Sequence, residues 1–496
     1  MNAPASATFQ HPKRTLVLGC GSVAQCAIPL MIRDLKFDPK TITIVDIRDN
    51  RNRVADVLAM GVSYEQDRVT RENLDSFLSA RVGNGDVLID LAWNIDGPTI
   101  IEWCRDHGVR YLNTSVELWD PYQDMQTTSP QDRTLYVRHQ EMRKMIERWG
   151  SNNGPSAVVE HGANPGMVSH LVKRALVDIT TALLNDGKAG SRATALQAAL
   201  EAEQFNVLAQ LTGTKVIHIA ERDTQITNKP KEVNEFCNTW SVEGFYEEGI
   251  APAELGWGTH EKWMPKNAHA HHDDGPRNQI CIAQPGMETW VRSWVPSGQN
   301  FGMVIRHGES YTMCKHLTVK NADGTDAYRP TVHYAYHPSD VAIDSVLELR
   351  MRNWKMQDRE RILNNEIISG RDELGVLLMG HDYKSWWTGS LLDIDQARSI
   401  LPGQSATTLQ VGGSVVAAVR WLLTYPTAGV CVPDDLPWRE LLEWTSPYIG
   451  PLHSAAADWT PLSERFDPFP GFGNDDSLLD HSDPWQFANF LSPTPR

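Results

Sequence analysis

Gly19, Gly21, Ala24 and Asp46 have the types and spacing to hold a dinucleotide. In Gly19-Cys20-Gly21-Ser22-Val23-Ala24 the first glycine permits a tight turn, and the second lets backbone approach a pyrophosphate. The alanine lets a helix lie close to the preceding strand, and Ser22 and Val23 offer backbone N–H groups at the helix start. Asp46 follows about 20 residues on, where an acid meets the adenosine ribose. An aspartate there favours NAD over NADP, while Arg48 leaves a 2′-phosphate open. The alternative is a glycine-rich turn that merely packs.

These residues act together only if strands and a helix position them. Thr15-Leu16-Val17-Leu18 and Ile42-Thr43-Ile44-Val45 are apolar runs that read as buried parallel strands. Val23, Cys26, Ala27, Leu30 and Met31 recur at helical spacing between them. Val87–Leu91 reads as the next strand and brings Asn94 to the cofactor edge. Val109–Leu112 ends at Thr114 and Glu117, and Ala157–Glu160 ends at His161-Gly162-Ala163-Asn164-Pro165-Gly166. The pattern predicts an α/β fold: an N-terminal Rossmann, doubly wound parallel sheet over residues 13–165. A second α+β substrate and dimerisation domain follows over 166–405.

In that second domain, helices are expected over Leu171–Leu184 and Ala193–Leu211, and strands over Lys215–Glu221, Trp290–Trp294, Gly302–Ile305 and Ser310–Val319. The apolar stretch Gly412–Leu423 reads as a helix that returns, near 410–430, to complete the cofactor domain. Residues 431–496 form a C-terminal extension, rich in Pro, Asp and Ser beyond about 460, that wraps the surface or a partner subunit.

Composition narrows the function classes. The chain has 496 residues and a net charge of −16, which argues against nucleic acid and suits a cationic substrate. No run of 18 apolar residues suggests a membrane span, and the polar first 14 residues lack a secretory h-region. Seven scattered cysteines without a C-x-x-C pair read as reduced cytoplasmic thiols. Asn267–Asp274 contains ligand-like histidines and aspartates, but its Gly-Pro flank marks a surface loop, and no metal is expected.

The Rossmann start, the strand ending Asp90-Leu91-Ala92-Trp93-Asn94, and Glu160-His161-Gly162-Ala163-Asn164-Pro165-Gly166-Met167-Val168 together resemble the saccharopine dehydrogenase superfamily. Within it, Glu235–Glu248, the Trp-rich second half and His307 in Ile305-Arg306-His307-Gly308-Glu309 make the chain similar to the bacterial homospermidine synthases. The resemblance covers about residues 13–460. It implies an NAD-dependent aminobutyl transferase, cytoplasmic and homodimeric. Putrescine would be oxidised to an imine and a second putrescine would displace ammonia. The same NADH would then reduce the new imine to homospermidine. Spermidine would also serve as donor, releasing diaminopropane.

The resemblance also assigns residues. Glu117, Glu221 and Glu248 would bind substrate ammonium groups, and Trp240 would gate the pocket with its π face. His307 would transfer protons, with Glu117 and Asn164 as further catalytic groups. Gly19, Gly21, Ser22, Val23, Asp46, Asn94, Thr114, Ala163, Asn164 and Pro165 would line the cofactor. Each substrate residue also admits a plainer role. Glu221 before Arg222 and Asp223 suits a surface ion pair, and Glu117 suits a helix start. Trp240 suits the core, and His307 suits a hydrogen-bonded strand end. Two other functions stay open: an opine- or saccharopine-type amino-acid dehydrogenase, with Arg292 and Arg306 as carboxylate clamps, and a non-catalytic NAD sensor.

Overall fold

The computed structural model describes residues 11–121, 127–271, 275–466 and 479–492. Its first layer is a seven-stranded parallel sheet. Across the sheet run Ala428–Cys431, Gly154–Val158, Arg110–Asn113, Val87–Asp90, Thr15–Leu18, Ile42–Asp46 and Ser63–Gln66. Thr15–Leu18 and Val87–Asp90 are buried throughout, as strands covered on both faces must be. The strand order reverses beside Thr15–Leu18, so the carboxyl ends of the central strands open a crevice there.

The outermost strand comes from late in the chain. Helix Ala406–Thr424 leads into it and lies across helix Ser22–Asp34. A Cβ on Gly412 would stand 2.5 Å from Cys26 Sγ, so glycine is what allows this close crossing. By length and composition this helix is apolar enough to cross a membrane, but 89% of its most apolar window is buried inside the protein.

The second layer is a mixed eleven-stranded sheet. Val216–Asp223 at its centre pairs parallel with Thr331–His337 and antiparallel with Arg371–Met379. Helix Met167–Asn185 packs on one face. Trp459, Trp485, Phe487 and Phe490 cover the other, so much of the C-terminal segment is built into the core of the second domain.

Glu254 joins the two layers. Buried in strand Pro252–Gly256, its carboxylate accepts the N–H groups of Leu135 (2.9 Å) and Tyr136 (2.8 Å). At the start of helix Leu135–Arg148 the first-turn N–H groups have no carbonyl within the helix to donate to, and the Glu254 carboxylate takes that place. The helix carries Arg138 and His139 toward the crevice.

Two sequence expectations are corrected. Ser310–Val319 is not a strand; helix Glu309–His316 occupies most of it. Its β-prone residues obscure a buried series, Ser310, Met313, Cys314 and Leu317, at helical spacing. The helix expected over Ala193–Leu211 is two, Ala193–Glu201 and Phe205–Thr212, separated where Glu203 turns left-handed at φ +50°. In the His-rich stretch, His271 is buried and stacks on Tyr136 at 4.1 Å, so it packs the domain junction. Residues 272–274 lie outside the described residues, as do 467–478 of the C-terminal extension.

Candidate active site

A cavity of about 190 Å³ lies beyond the carboxyl ends of the parallel strands, closed on its far side by the second domain. The glycine turn forms one end, from Gly21 to Ala24. Gly19 has φ +87°, and a Cβ there would stand 2.7 Å from Leu91 O, so the turn requires glycine. A Cβ on Gly21 would meet nothing within 4 Å, which leaves open space over the helix start. No side chain caps helix Ser22–Asp34, whose first N–H groups therefore suit an anion. Asp46 Oδ2 accepts Cys20 N–H at 2.6 Å, and Oδ1 accepts Arg48 N–H at 2.7 Å. The turn and the acid thus fit a dinucleotide.

Thr114, Ala163, Asn164 and Pro165 line the same cavity. Asn94 does not line it. Its backbone is left-handed (φ +59°), and its Oδ1 is buried without a partner.

The residues assigned to substrate converge at the other end. Glu117, Glu221, Trp240, Glu248 and His307 all line the cavity. Glu221 is no surface ion-pair residue; it is 2% exposed and accepts Asn164 Nδ2 (2.6 Å) and Tyr334 O–H. Trp240 Nε1 donates to Tyr336 OH at 2.9 Å, which fixes the indole at the wall. His307 Nδ1 lies 3.1 Å from Glu309 Oε1, and Nε2 lies 3.1 Å from Glu248 Oε2. With a carboxylate on each nitrogen, the ring is set up as a double donor.

Electrostatics divides the carboxyl groups. Burial first, and the charge of Glu247 second, lift Glu117 to about 8. Its Oε1 accepts Ser115 O–H at 2.7 Å, while the buried Oε2 receives no donor. Burial lifts Glu221 to about 7 although Tyr334 and Asn164 favour its ionised form. Burial also raises Glu248, against the pull of His307. For His307 burial opposes charge, but Glu309 and Glu248 overcome it and hold the imidazolium well above its usual range. Glu247 behaves oppositely to Glu117: burial is outweighed by Arg306 and then Arg138, which hold it at about 2.

Glu247, Arg138, Tyr334, Trp93 and Glu160 also line the cavity, although sequence reasoning assigned none of them a role in the site. Glu247 Oε1 accepts Arg138 (2.9 Å) and Arg306, and its Oε2 accepts Trp93 Nε1 at 3.1 Å. The available signals were the adjacency of Glu247 to Glu248 on helix Val242–Ile250, and the places of Trp93 and Glu160 in the two superfamily motifs. Arg292 is remote from this group; it donates to Ser463 O and Gln299 Oε1.

Two family models match the chain: the saccharopine dehydrogenase NADP binding domain over residues 15–158, and the saccharopine dehydrogenase C-terminal domain over 162–458. The homospermidine synthase of Mesorhizobium japonicum is 41% identical over 481 residues, 96% of each chain. That of Blastochloris viridis is 42% identical over 482 residues, again 96% of each. The crystal structure of the homospermidine synthase from Legionella pneumophila in complex with NAD superposes with a TM-score of 0.83 at 34% identity, covering 97% of this chain and 98% of that one. The chain belongs to the homospermidine synthase family, within the saccharopine dehydrogenase superfamily.

Proposed function

We propose that the protein is an NAD-dependent aminobutyl transferase that converts two putrescines, or spermidine and putrescine, to homospermidine. One observation carries the reading: the glycine turn and the acid-lined pocket are a single cavity, so a diamine carbon bound there faces the cofactor end. Asp46 beside the turn disfavours a 2′-phosphate by charge, which supports NAD over NADP.

Putrescine arrives as a dication. One ammonium meets Glu117, whose Oε2 lacks a donor, or Glu221, while the Trp240 face shields the cation from water. The reacting nitrogen must first lose a proton. Glu117 and Glu221, raised to about 8 and 7, are matched to take or return one near neutrality. NAD, when bound, supplies the hydride acceptor for the amine carbon and returns that hydride at the end. The second putrescine then adds its free amine to the imine carbon. His307 holds a proton at Nε2 for the departing nitrogen, which leaves as ammonia, or as diaminopropane when spermidine is the donor. Asn164, hydrogen-bonded to Glu221, orients the amine.

Arg138 and Arg306 do not serve as a carboxylate clamp for an amino-acid substrate, because Glu247 already pairs with both. That observation disfavours the opine-type reading. The acidic pocket also fits small polyamines better than nucleic acid. A cytoplasmic homodimer is the state we infer, in keeping with the free cysteines and the family resemblance.

The reading is tested with purified protein, putrescine and substoichiometric NAD⁺. Homospermidine and ammonia should exceed the NAD⁺ supplied, with no build-up of NADH. NADH formed in step with consumed amine would mark a plain dehydrogenase, and NAD binding without turnover would mark a sensor.

Two further outcomes follow from the geometry. Trp240→Ala should raise the KM for putrescine by up to about thirtyfold, the equivalent of a desolvated cation–π contact of ~2 kcal/mol, with a smaller change for Trp240→Phe. Cation binding requires ionised carboxylates, and the folded, free enzyme holds Glu221 and Glu117 protonated until about pH 7 and 8. The value of kcat/KM should therefore climb as pH rises through this window, and Glu117→Gln should remove the upper part of the climb.

A further inference from the structure

Glu160 lines the cavity yet has no part in the scheme above. It follows strand Gly154–Val158 at the carboxyl edge of the parallel sheet, with a left-handed backbone at φ +61°. That conformation disfavours any side chain, and here it turns a buried carboxylate into the site. Several groups pin it. Its N–H donates to Asn113 Oδ1 at 2.7 Å, and Oε2 lies 2.8 Å from His139 Nε2. Both side chains of that pair are buried. His139 Nδ1 is buried without a partner, so Nε2 carries the proton directed at Glu160.

The other side of the carboxylate meets Gly308. A Cβ built on Gly308 would stand 1.7 Å from Glu160 Oε2. Gly308 has φ −63° and ψ −33°, which any residue adopts, so glycine is needed there for space rather than for conformation. The chain therefore gives up a side chain at 308, and accepts a left-handed glutamate at 160, to bring one carboxylate against the residue that follows His307.

We propose that Glu160, braced by His139, is a positioning residue for the proposed reaction: its carboxylate seats the Gly308 backbone and so aims the His307 ring into the cavity. The idea rests on the function proposed above. Charge acts in the same direction as packing. His307 faces Glu248 from helix Val242–Ile250, Glu309 from its own turn, and Tyr334 at 4.4 Å from strand Thr331–His337. Glu221 and Glu160 act on it from the two sheets, and Arg306 precedes it in the chain. Burial would neutralise Glu160, but His139, with a lesser part from His307, holds it ionised.

The test is the titration of His307, followed by NMR on histidine-labelled protein and assigned with His307→Gln. Glu160→Gln should lower the midpoint by about one pH unit and move the matching limb of the kcat profile by the same amount. Gly308→Ala, which displaces the carboxylate, should do likewise. His139→Leu should follow them, and His139→Gln, which still offers an N–H to Glu160, should restore the wild-type midpoint. These two keep the test decisive if Glu160→Gln does not fold. An unchanged midpoint in the folded variants, whatever happens to melting temperature, would overturn the proposal. The NMR readout needs no turnover, so a shifted midpoint in a protein that makes no homospermidine would sink the function and leave the contact standing.

Discussion

Glu247→Ala is expected to cost about 3–5 kcal/mol of folding stability, among the largest effects of any single substitution here. Its carboxylate sits between Arg138 and Arg306, with side-chain exposures of 4%, 7% and 6%, so truncation strands two guanidiniums away from water. Arg138 and Trp93 come from the cofactor domain, Glu247 and Arg306 from the second. The same substitution therefore loosens the junction that closes the cavity. Urea denaturation should show a lower midpoint. Adding Arg138→Met and Arg306→Met should recover much of the loss, because the buried charges go too. The pH dependence has a fixed sign. The folded pKa lies at about 2, below the ordinary 4.5, so the contribution is complete above about pH 4.5 and is lost as pH falls toward 2. Stability unchanged in Glu247→Ala would mean that the arginines find other partners.

His307→Gln is expected to lower kcat with putrescine by roughly 10²–10⁴-fold. The ring is held at both nitrogens, by Glu309 and Glu248, and is the imidazole that lines the cavity. A glutamine keeps one donor but cannot pass a proton on. Because the glycine turn lies at the other end of the cavity, NAD affinity, read by tryptophan fluorescence, should stay near wild type. A loss shared equally by kcat and NAD binding would assign His307 to the cofactor instead.

The legibility of this site follows from how its parts are encoded. The turn from Gly19 to Ala24 is steric and local: Leu91 O excludes a side chain at 19, and open space faces Gly21. Local rules of this kind can be read directly from residue order. Most of helix Ala406–Thr424 was legible for the same reason, as the apolar run Gly412–Leu423 that returns to the cofactor domain. The charged lining was a different matter. Arg138 and its partner Glu247 lie 109 positions apart, so no local pattern announces the pair. Glu160 reads as the end of a strand, and only the assembled fold sets it against Gly308 and His139. Glu117, Glu221, Trp240, Glu248 and His307 were named through resemblance to a family. Without it, Glu117, Glu221, Trp240 and His307 each admit a plainer role, and helix Glu309–His316 reads as a strand because its β-prone residues outweigh its periodicity.

The central claim is that one cavity takes a hydride from a diamine carbon and gives it back to the imine made there. Putrescine deuterated at both amine-bearing carbons, supplied with NAD⁺ and an excess of unlabelled NADH, tests it most directly. The account predicts homospermidine that retains every deuterium, because the label never leaves the site between the two transfers. Product that has lost one deuterium at the new C–N bond, with label appearing in the free NADH, would contradict it.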